Sequence, residues 1–225
     1  MRLINSSPDI FLLGAKVEFP DPNSGDFDDL IAIGGDLSAK RLLLAYKSGI
    51  FPWFIERSLP YWFCPNPRSI LYPSRLHISK SLAKTIRKRR FEIAVDRDFE
   101  AVMRRCAAPR KNAKRTWITG EFIDAYLELF ELGAAHSVEC YSDGGLCGGL
   151  YGVSIGRVFF GESMFAALPD ASKSALCYLA REMPFGAIDF IDCQIPSDHL
   201  LSLGAEEISR SDFLELLKKS VVYNS

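Results

Sequence analysis

The sequence is poor in the residues that build zinc sites and disulfide frameworks. Its 225 residues include only three histidines, His77, His136 and His199, which lie too far apart to form a local zinc motif. The six cysteines are scattered along the chain, and no two of them form a Cys-x-x-Cys pair. We therefore expect no bound metal, and reduced thiols packed in the core.

Long apolar runs are also missing. No run approaches the roughly 20 residues that a membrane-spanning helix needs. The N-terminal segment has only a short apolar patch at residues 10–13, which is too little for a secretion signal. We therefore expect a cytoplasmic protein with no membrane partner.

What the chain has instead is the composition of an ordinary globular protein, with 48% hydrophobic and 24% charged residues. A chain of 225 residues is long enough to bury one full core and to carry a small appended domain. No internal repeat or low-complexity segment interrupts it. A repeat architecture and an intrinsically disordered chain are thereby excluded.

The net charge of −1 conceals an uneven distribution of charge. Residues 75–115 hold 14 basic and 4 acidic side chains, whereas residues 116–225 hold 6 basic and 16 acidic ones. A basic band of this density is typical of a surface that binds a polyanion such as nucleic acid. It is equally compatible with a solvated helix face, and composition alone leaves both interpretations open.

Hydrophobic periodicity predicts a mixture of helices and strands. Helices are predicted after Ser38, from Ser79, from Asp98, after Thr119, and over residues 171–183 and 211–219, with Ser38 and Thr119 as caps and Gly49 and Gly133 as ends. Strands are predicted over residues 91–95, 136–141, 146–153, 157–165 and 188–194. The three strands between residues 136 and 165 form a predicted antiparallel meander, so the expected fold class is α+β with a largely antiparallel central sheet flanked by helices. The first 35 residues are expected to be an extended lead-in.

An unusual aromatic segment follows the first predicted helix. It contains Ile50-Phe51-Pro52-Trp53-Phe54 and then Tyr61-Trp62-Phe63-Cys64-Pro65-Asn66-Pro67. The prolines predict a loop rather than regular structure. Such a loop is either a lid packed on the core or a surface on which a flat ligand stacks, and both interpretations remain open.

The segment Gly152-Val153-Ser154-Ile155-Gly156 fits the nucleophile pattern of serine hydrolases, with Asp192 and His199 following in order. That motif requires a strand, a sharp turn and then a helix. Here the residues after Gly156 read as another strand, so we reject the hydrolase interpretation.

An acyl-CoA-dependent N-acetyltransferase is a second alternative, because a meander followed by a helix and a strand suits that architecture. Those enzymes carry a pyrophosphate-binding loop of the form Q/R-x-x-G-x-G/A before a helix, and no Arg or Gln here has that spacing. The sequence therefore disfavours a CoA donor but not the fold.

Polar residues set in apolar segments are the remaining candidates for chemistry. Glu162 lies in Phe159-Phe160-Gly161-Glu162-Ser163-Met164-Phe165, and Asp192 and Gln194 alternate with apolar neighbours. A buried carboxylate is costly unless it is paired or hydrogen-bonded, and it often marks a functional site. A purely structural pair explains the same pattern, and both hypotheses stay open at this point.

A series of motifs in one order closely resembles the bacterial leucyl/phenylalanyl-tRNA–protein transferases. They are Gly34-Gly35-Asp36-Leu37, Gly49-Ile50-Phe51-Pro52-Trp53-Phe54, Pro65-Asn66-Pro67-Arg68, Leu76-His77-Ile78-Ser79, Thr116-Trp117-Ile118, Ala135-His136-Ser137-Val138-Glu139, Gly148-Gly149-Leu150-Tyr151-Gly152, Gly161-Glu162-Ser163-Met164-Phe165, Ala171-Ser172-Lys173, Ile191-Asp192-Cys193-Gln194 and Ser202-Leu203-Gly204-Ala205. The resemblance runs from about Phe19 to the last predicted helix, which makes it far more specific than any single motif.

The resemblance implies an enzyme that joins Leu or Phe, and less readily Met, from aminoacyl-tRNA to proteins beginning with Arg or Lys, marking them for degradation by the N-end rule. It implies neither a metal nor CoA. It also implies a small N-terminal domain, residues 1–67, followed by an N-acetyltransferase-like domain, residues 68–225. We expect the protein to be monomeric.

The resemblance also implies roles for single residues. Trp53 would be the platform for the terminal adenine of tRNA, with Trp117 and Tyr126 nearby, and Glu162 would hold the amino group of the aminoacyl moiety. The apolar pocket for the aminoacyl side chain would consist of Leu150, Phe159, Met164, Leu176, Met183 and Ile191. Leu150 stands where Met is common in the family, and Leu179 where an aromatic residue is common.

Asp192 and Gln194 fall on the catalytic pair proposed for the family. A neutral amide is a poor proton acceptor, so we favour Gln194 as a group that orients the attacking amine and Asp192 as a source of negative potential. A glutamine base relayed by the aspartate is the competing hypothesis. The basic band, with Lys80, Lys84, Arg87 and Lys88, then suits the body of the tRNA. A non-catalytic RNA-binding protein and a CoA-dependent acetyltransferase remain as alternatives.

Overall fold

The computed structural model describes residues 10–24, 27–109 and 116–221, and it contains two β-sheets. The smaller sheet has four strands in the order β1-β2-β4-β3, with β1 and β2 parallel and the other pairs antiparallel. Its strands are β1 (Phe11–Leu13), β2 (Leu30–Gly34), β3 (Phe51–Glu56) and β4 (Leu59–Phe63). Helix α1 (Ala39–Lys47) connects β2 to β3. The expected extended lead-in thus contains two paired strands.

The prediction of a loop in the aromatic segment is wrong, because β3 and β4 form an antiparallel hairpin. β3 is the edge strand of the small sheet, and the register shifts between Pro52 and Phe54. An edge strand with a bulge tolerates a residue that lacks an N–H donor. The aromatic side chains, which favour strands, therefore outweigh the prolines.

The larger sheet has seven strands in the order β11-β5-β10-β9-β8-β7-β6. The strands are β5 (Arg68–Leu71), β6 (Glu92–Val95), β7 (Ala135–Ser142), β8 (Gly145–Ile155), β9 (Val158–Ala166), β10 (Phe190–Gln194) and β11 (Glu206–Ile208). Every neighbouring pair is antiparallel except β9 and β10, which run parallel. The predicted meander is confirmed as β7, β8 and β9, whereas β5 and β11 were not predicted.

In the described part of the chain, six further α-helices flank the large sheet. They are α2 (Lys80–Arg87), α3 (Phe99–Ala107), α4 (Gly120–Glu131), α5 (Ala171–Glu182), α6 (Asp198–Ser202) and α7 (Arg210–Val221). All the predicted helices are present, and the short α6 is an addition. The predicted class, α+β with a largely antiparallel sheet flanked by helices, is confirmed.

The capping predictions are confirmed in position but not in every hydrogen bond. Helices α1 and α4 begin directly after Ser38 and Thr119, yet neither side chain makes a capping hydrogen bond. The side chain of Ser79, by contrast, accepts a hydrogen bond from the backbone N–H of Leu82 at the start of α2. Gly49 follows α1 with φ of +75°, a conformation that glycine adopts without strain.

The two faces of the large sheet carry different helices, because neighbouring residues of a strand point to opposite faces. On β8, Tyr151 and Val153 belong to the core cluster that includes α3 and α4, whereas Leu150 belongs to the cluster that includes α5. The same alternation separates Phe160 from Phe159 on β9. The face that α5 covers is the one that carries the main cavity described below.

Two of the earlier predictions concern single residue types. Ser154 lies on β8, and the turn at Gly156 leads into β9, another strand, so the rejection of a hydrolase elbow is confirmed. All six cysteines are free thiols, of which five are buried and Cys193 is half-buried. The prediction of reduced core thiols is therefore confirmed.

Candidate active site

A cavity of about 510 Å³ lies between α5 and the large sheet, and we call it the main cavity. One part of its wall is apolar, and residues from β8, β9, β10 and α5 supply it. These residues are Leu150, Phe159, Met164, Leu176, Leu179 and Ile191. All but Leu179 belong to the predicted apolar pocket, and Leu179 was singled out for its departure from the family pattern. The cavity is wide enough for a branched or aromatic side chain.

A single carboxylate, Glu162, lies in this otherwise apolar wall. The hydroxyl of Tyr46 donates a hydrogen bond to its Oε1 at 2.8 Å, and the hydroxyl of Tyr126 donates to its Oε2 at 2.9 Å. The two tyrosine hydroxyls also contact each other, and because each has a single proton, each can donate either to Glu162 or to the other tyrosine. Tyrosines of α1 and α4 therefore bind Glu162 on one side, and its exposed side faces the cavity.

Burial raises the pKa of Glu162 to about 7, against the opposing effect of the two tyrosine hydrogen bonds. Burial, followed by the nearby Glu162 charge, raises the pKa of both Tyr46 and Tyr126 well above its ordinary value. Both hydroxyls thus keep their protons and remain donors near neutral pH. Glu162 is poised to change its charge in that range.

Asp192, whose chain neighbours Ile191 and Cys193 line the cavity, forms a fully buried ion pair with Arg68. Arg68 donates to both carboxylate oxygens, from Nε to Oδ1 at 2.8 Å and from Nη2 to Oδ2 at 2.6 Å. The guanidinium also lies over the rings of Phe51 and Phe213, at 5.0 Å and 4.3 Å from their centroids. The pair therefore ties the small sheet and α7 to β10.

Gln194 connects this ion pair to Glu162. Its backbone N–H donates to Oδ1 of Asp192 at 3.0 Å, and its side-chain Nε2 donates to Oε1 of Glu162 at 3.3 Å. Gln194 has φ of +54°, a left-handed conformation that is uncommon for a residue other than glycine. Because Nε2 is directed at Glu162, the carbonyl oxygen of the amide is directed away from it.

A narrower cleft of about 150 Å³ adjoins the main cavity. Trp53 and Trp117 line it, and it shares Trp117, Glu162, Cys193 and Gln194 with the main cavity. Trp53 is 36% exposed, although its ring also makes an edge contact with Phe63 at 4.9 Å. We call this space the tryptophan cleft. An exposed indole beside a polar cluster can accept a flat ring.

The structure leaves some predicted site residues outside these walls. Tyr126 is completely buried and reaches the site only through its hydroxyl on Glu162. Met183 lies half-buried just after α5 and does not line the main cavity. The four predicted basic residues, Lys80, Lys84, Arg87 and Lys88, are all exposed on α2 and its C-terminal end.

Sequence reasoning missed Tyr46 and Arg68 as site residues. Tyr46 lies 116 residues from Glu162 in sequence, and Arg68 lies 124 residues from Asp192. Arg68 belongs to the motif Pro65-Asn66-Pro67-Arg68. A charged residue next to the apolar residues of β5 was the signal that could have identified it as a site residue. Tyr46 gave no such signal, because a tyrosine in an amphipathic helix is usually a core residue.

Among residues 10–24, 27–109 and 116–221, no three His, Cys, Asp or Glu side chains come together in a group that could hold a metal ion. Within the same part of the chain, no helix is both long enough and apolar enough to cross a membrane.

Known sequences resemble this chain closely. The family profile described as "Leucyl/phenylalanyl-tRNA protein transferase" matches residues 70–218, and that of the corresponding N-terminal domain matches residues 35–66. The protein of that name from Desulfatibacillum aliphaticivorans is 49% identical over 95% of this chain and 92% of its own length. Its namesake from Nitrosospira multiformis is 52% identical over 86% of this chain and 84% of its own length. The namesake from Legionella pneumophila is 49% identical over 91% of this chain and 92% of its own length.

The chain also has a distant likeness to solved structures. L-PGS from Bacillus licheniformis is 15% identical, with a TM-score of 0.41 over 76% of this chain and 56% of that chain.

Proposed function

We propose, from the premise that this chain belongs to the leucyl/phenylalanyl-tRNA protein transferase family, that it transfers leucine or phenylalanine from aminoacyl-tRNA to the N-terminal amine of a protein. Membership makes the chain an enzyme of the transferase class. The observation that carries the proposal is the apolar main cavity with Glu162 in its wall and the tryptophan cleft beside it. The apolar cavity suits the side chain of the donated amino acid, Glu162 suits its amino group, and the tryptophan cleft suits a nucleobase of the tRNA.

The apolar wall suits the side chain of the donated amino acid. Leucine, phenylalanine and methionine all have apolar side chains that can pack against this wall, and the lower preference for methionine is what the family resemblance implies. Short or charged side chains would leave empty space or an unpaired charge there. We assign Glu162 to the amino group of the aminoacyl moiety, because an ionised carboxylate in a buried wall attracts a cationic amine.

The chemistry that follows needs no oxidant and no cofactor. The acceptor's α-amine attacks the ester carbon, a C–N bond forms, and the C–O bond to the terminal ribose breaks. The nitrogen loses one proton and the ribose oxygen gains one. An α-amine has a pKa of about 7.7–8.0 and is partly neutral at pH 7, so orientation matters more than a strong base.

We assign that orientation to the carbonyl oxygen of Gln194, which is directed away from Glu162. Asp192 is fully buried and both of its oxygens are bound by Arg68, so we assign to it the positioning of Gln194 rather than contact with substrate. The charge of Asp192 is balanced by the guanidinium, which weakens any potential it exerts at the cavity.

The finer substrate assignments complete the proposal. The acceptors are proteins that begin with Arg or Lys, which suits the acidic C-terminal half of the sequence, and the product is marked for degradation by the N-end rule. We further propose a cytoplasmic monomer, divided into residues 1–67 and a catalytic domain over residues 68–225.

Replacement of Trp53 tests the proposal that it stacks on the terminal adenine. Trp53→Ala should weaken the binding of an aminoacyl-adenosine by about 5- to 150-fold, whereas Trp53→Phe should retain most of the affinity because it keeps an aromatic face. The melting temperature should change little, because the indole is 36% exposed. Calorimetric titration and thermal unfolding of the same variants check both expectations.

A core role for Trp53 predicts the reverse. Trp53→Ala would then melt far below the wild type, while the remaining folded protein bound the donor normally. Trp117, which lines the same cleft, would become the adenine platform.

The basic residues of α2 allow a test of tRNA binding. Changing Lys84, Arg87 and Lys88 together to Ala should reduce the log–log salt dependence of tRNA affinity by up to about 3 units, because each phosphate contact releases counterions. Transfer from a short aminoacyl-adenosine should be unaffected. Lys218→Ala combined with Lys219→Ala, on the exposed face of α7, is the matched control. Equal loss with both donors would show that these α2 residues support the fold instead.

One assay tests the proposed function against its alternatives. Labelled leucyl-tRNA is incubated with the protein and a peptide beginning with Arg, and labelled acetyl-CoA replaces it in a parallel reaction. We expect label on the peptide from leucyl-tRNA only. Label from acetyl-CoA would identify an acetyltransferase, and tRNA binding without transfer would identify a non-catalytic RNA-binding protein.

A further inference from the structure

A second cavity, of about 400 Å³, lies on the opposite side of α5 from the main cavity. It is an open cavity bordered by α2, the residues that lead into β6, and α5. It shares no lining residue with the main cavity or with the tryptophan cleft. We call it the arginine cavity, because Arg89, Arg90 and Arg181 line it.

Helix α5 separates the two cavities. Leu176 and Leu179 face the main cavity. Ser174, Cys177, Tyr178 and Arg181 face the arginine cavity, at the three- and four-residue spacing of one helix face. The two spaces are therefore independent sites on one rigid element.

One buried polar group in the arginine cavity has no partner in the protein. Ser174 is only 6% exposed, and its Oγ makes no hydrogen bond within the described part of the chain. A buried hydroxyl without a partner is costly, and nearly all such groups in native proteins are satisfied. Ser174 lines the cavity, but its Oγ has almost no accessible surface, so a ligand bound there becomes its partner once the side chain rotates toward the cavity.

The charge of the arginine cavity is also unbalanced. Its charged lining is three arginines and one carboxylate, Glu182, so the formal sum is about +2. Within the residues that the structure describes, none of the three arginines forms an ion pair. A phosphate monoester carries about −1.5 to −2 at pH 7, which matches this sum better than the single charge of a phosphodiester.

The rest of the lining favours a nucleoside over a bare anion. Ile86, Phe91, Ile93 and Tyr178 give the cavity an apolar side on which a flat ring can lie. Glu182 cannot bind a phosphate, but its carboxylate can accept hydrogen bonds from ribose hydroxyls or an amino group of a base. A volume of about 400 Å³ is within the range of small-ligand sites.

We propose that the arginine cavity binds a nucleoside 5′-monophosphate, with the phosphate on Arg89, Arg90, Arg181 and the hydroxyl of Ser174. The nucleoside lies against the apolar side and Glu182. The nucleoside 5′-monophosphate can be either a free mononucleotide or the 5′-terminal nucleotide of a tRNA. Only the tRNA source rests on the proposed function.

The first experiment is calorimetric titration of the whole protein with adenosine 5′-monophosphate and, separately, with adenosine. We expect Arg181→Gln and Arg89→Gln each to weaken binding of the monophosphate at least about tenfold, since each removes a charge-assisted contact. Ser174→Ala should weaken it about threefold or more without lowering the melting temperature, because the hydroxyl has no partner in the free protein. The matched control, Arg57→Gln at the exposed turn between β3 and β4, should leave the affinity unchanged.

The second experiment compares one tRNA with and without its 5′-phosphate. If the tRNA is the source, removal of the phosphate weakens binding to the wild type and has no effect on Arg181→Gln. If the free nucleotide is the source, the monophosphate titration alone shows the loss in the variants. Either result supports the proposal, and neither requires that transfer activity be found.

Two results overturn the proposal. One is the absence of both monophosphate binding and a 5′-phosphate effect in the wild type. The other is monophosphate binding that Trp53→Ala abolishes and Arg181→Gln leaves intact, which would place the nucleotide in the tryptophan cleft instead.

Discussion

Replacing Arg68 with Met should lower the free energy of unfolding by about 3–5 kcal/mol at pH 7, because the change leaves the fully buried Asp192 carboxylate without its partner. Methionine keeps an unbranched apolar chain between the rings of Phe51 and Phe213, so the cavity term is small. Urea denaturation of the wild type and the variant measures the difference.

Two comparisons identify the unpaired charge as the cause. Arg68→Met combined with Asp192→Asn should recover part of the lost stability, because no buried charge then remains. Arg104→Met, which breaks an exposed ion pair with Glu100, should lower stability by no more than about 1 kcal/mol. A loss as small for Arg68→Met as for Arg104→Met would contradict the role given to the buried pair.

Replacing Glu162 with Gln should lower transfer by roughly 10- to 150-fold, the size of one lost charge-assisted contact. In the wild type, transfer should rise with pH as Glu162 ionises around its pKa of about 7. The variant should keep only the rise that comes from deprotonation of the acceptor's α-amine, because its amide does not titrate. Rates measured from pH 6 to pH 8 check both expectations, and Ser154→Ala, outside the site, is the control.

The free energy of unfolding of Glu162→Gln, relative to that of the wild type, should increase as the pH rises. Burial raises the pKa of Glu162 from 4.5 to about 7, so between these values the folded state binds more protons than the unfolded state and stability falls as pH rises. Glu162→Gln removes this loss, so its stability relative to the wild type should increase by about 2–3 kcal/mol from pH 5 to pH 8. A constant difference across that range would show that the carboxylate is not desolvated in the folded state.

The apolar wall of the site could be predicted because it follows from local patterns. Leu150, Phe159 and Ile191 alternate with residues of the opposite face along three strands, and Leu176 lies on one face of a periodic helix. Period and composition are sufficient to identify such positions. The family resemblance then supplied their roles.

The polar partners could not be predicted in the same way. Tyr46 and Tyr126 reach Glu162 from two different helices, and Arg68 reaches Asp192 across the junction of the two sheets. These contacts depend on how distant elements pack, and no local pattern specifies that. The short strands β5 and β11, of four and three residues, likewise exist through their pairing rather than their propensity.

The hairpin of β3 and β4 shows how tertiary context overrides a local rule. Proline was taken as evidence against a strand, but Pro52 lies at a register shift on an edge strand, a position where a missing N–H donor is tolerated. The practical consequence is that Trp53 projects from a paired strand rather than from a loop.

The most direct test of the central claim is to locate the transferred residue on the acceptor. A peptide that begins with Arg and contains one internal Lys is incubated with leucyl-tRNA and the protein, and the product is sequenced by tandem mass spectrometry. We predict one added leucine, joined to the α-amine of Arg, and none on the lysine side chain. A product without added leucine, or with leucine on the lysine, would contradict the account.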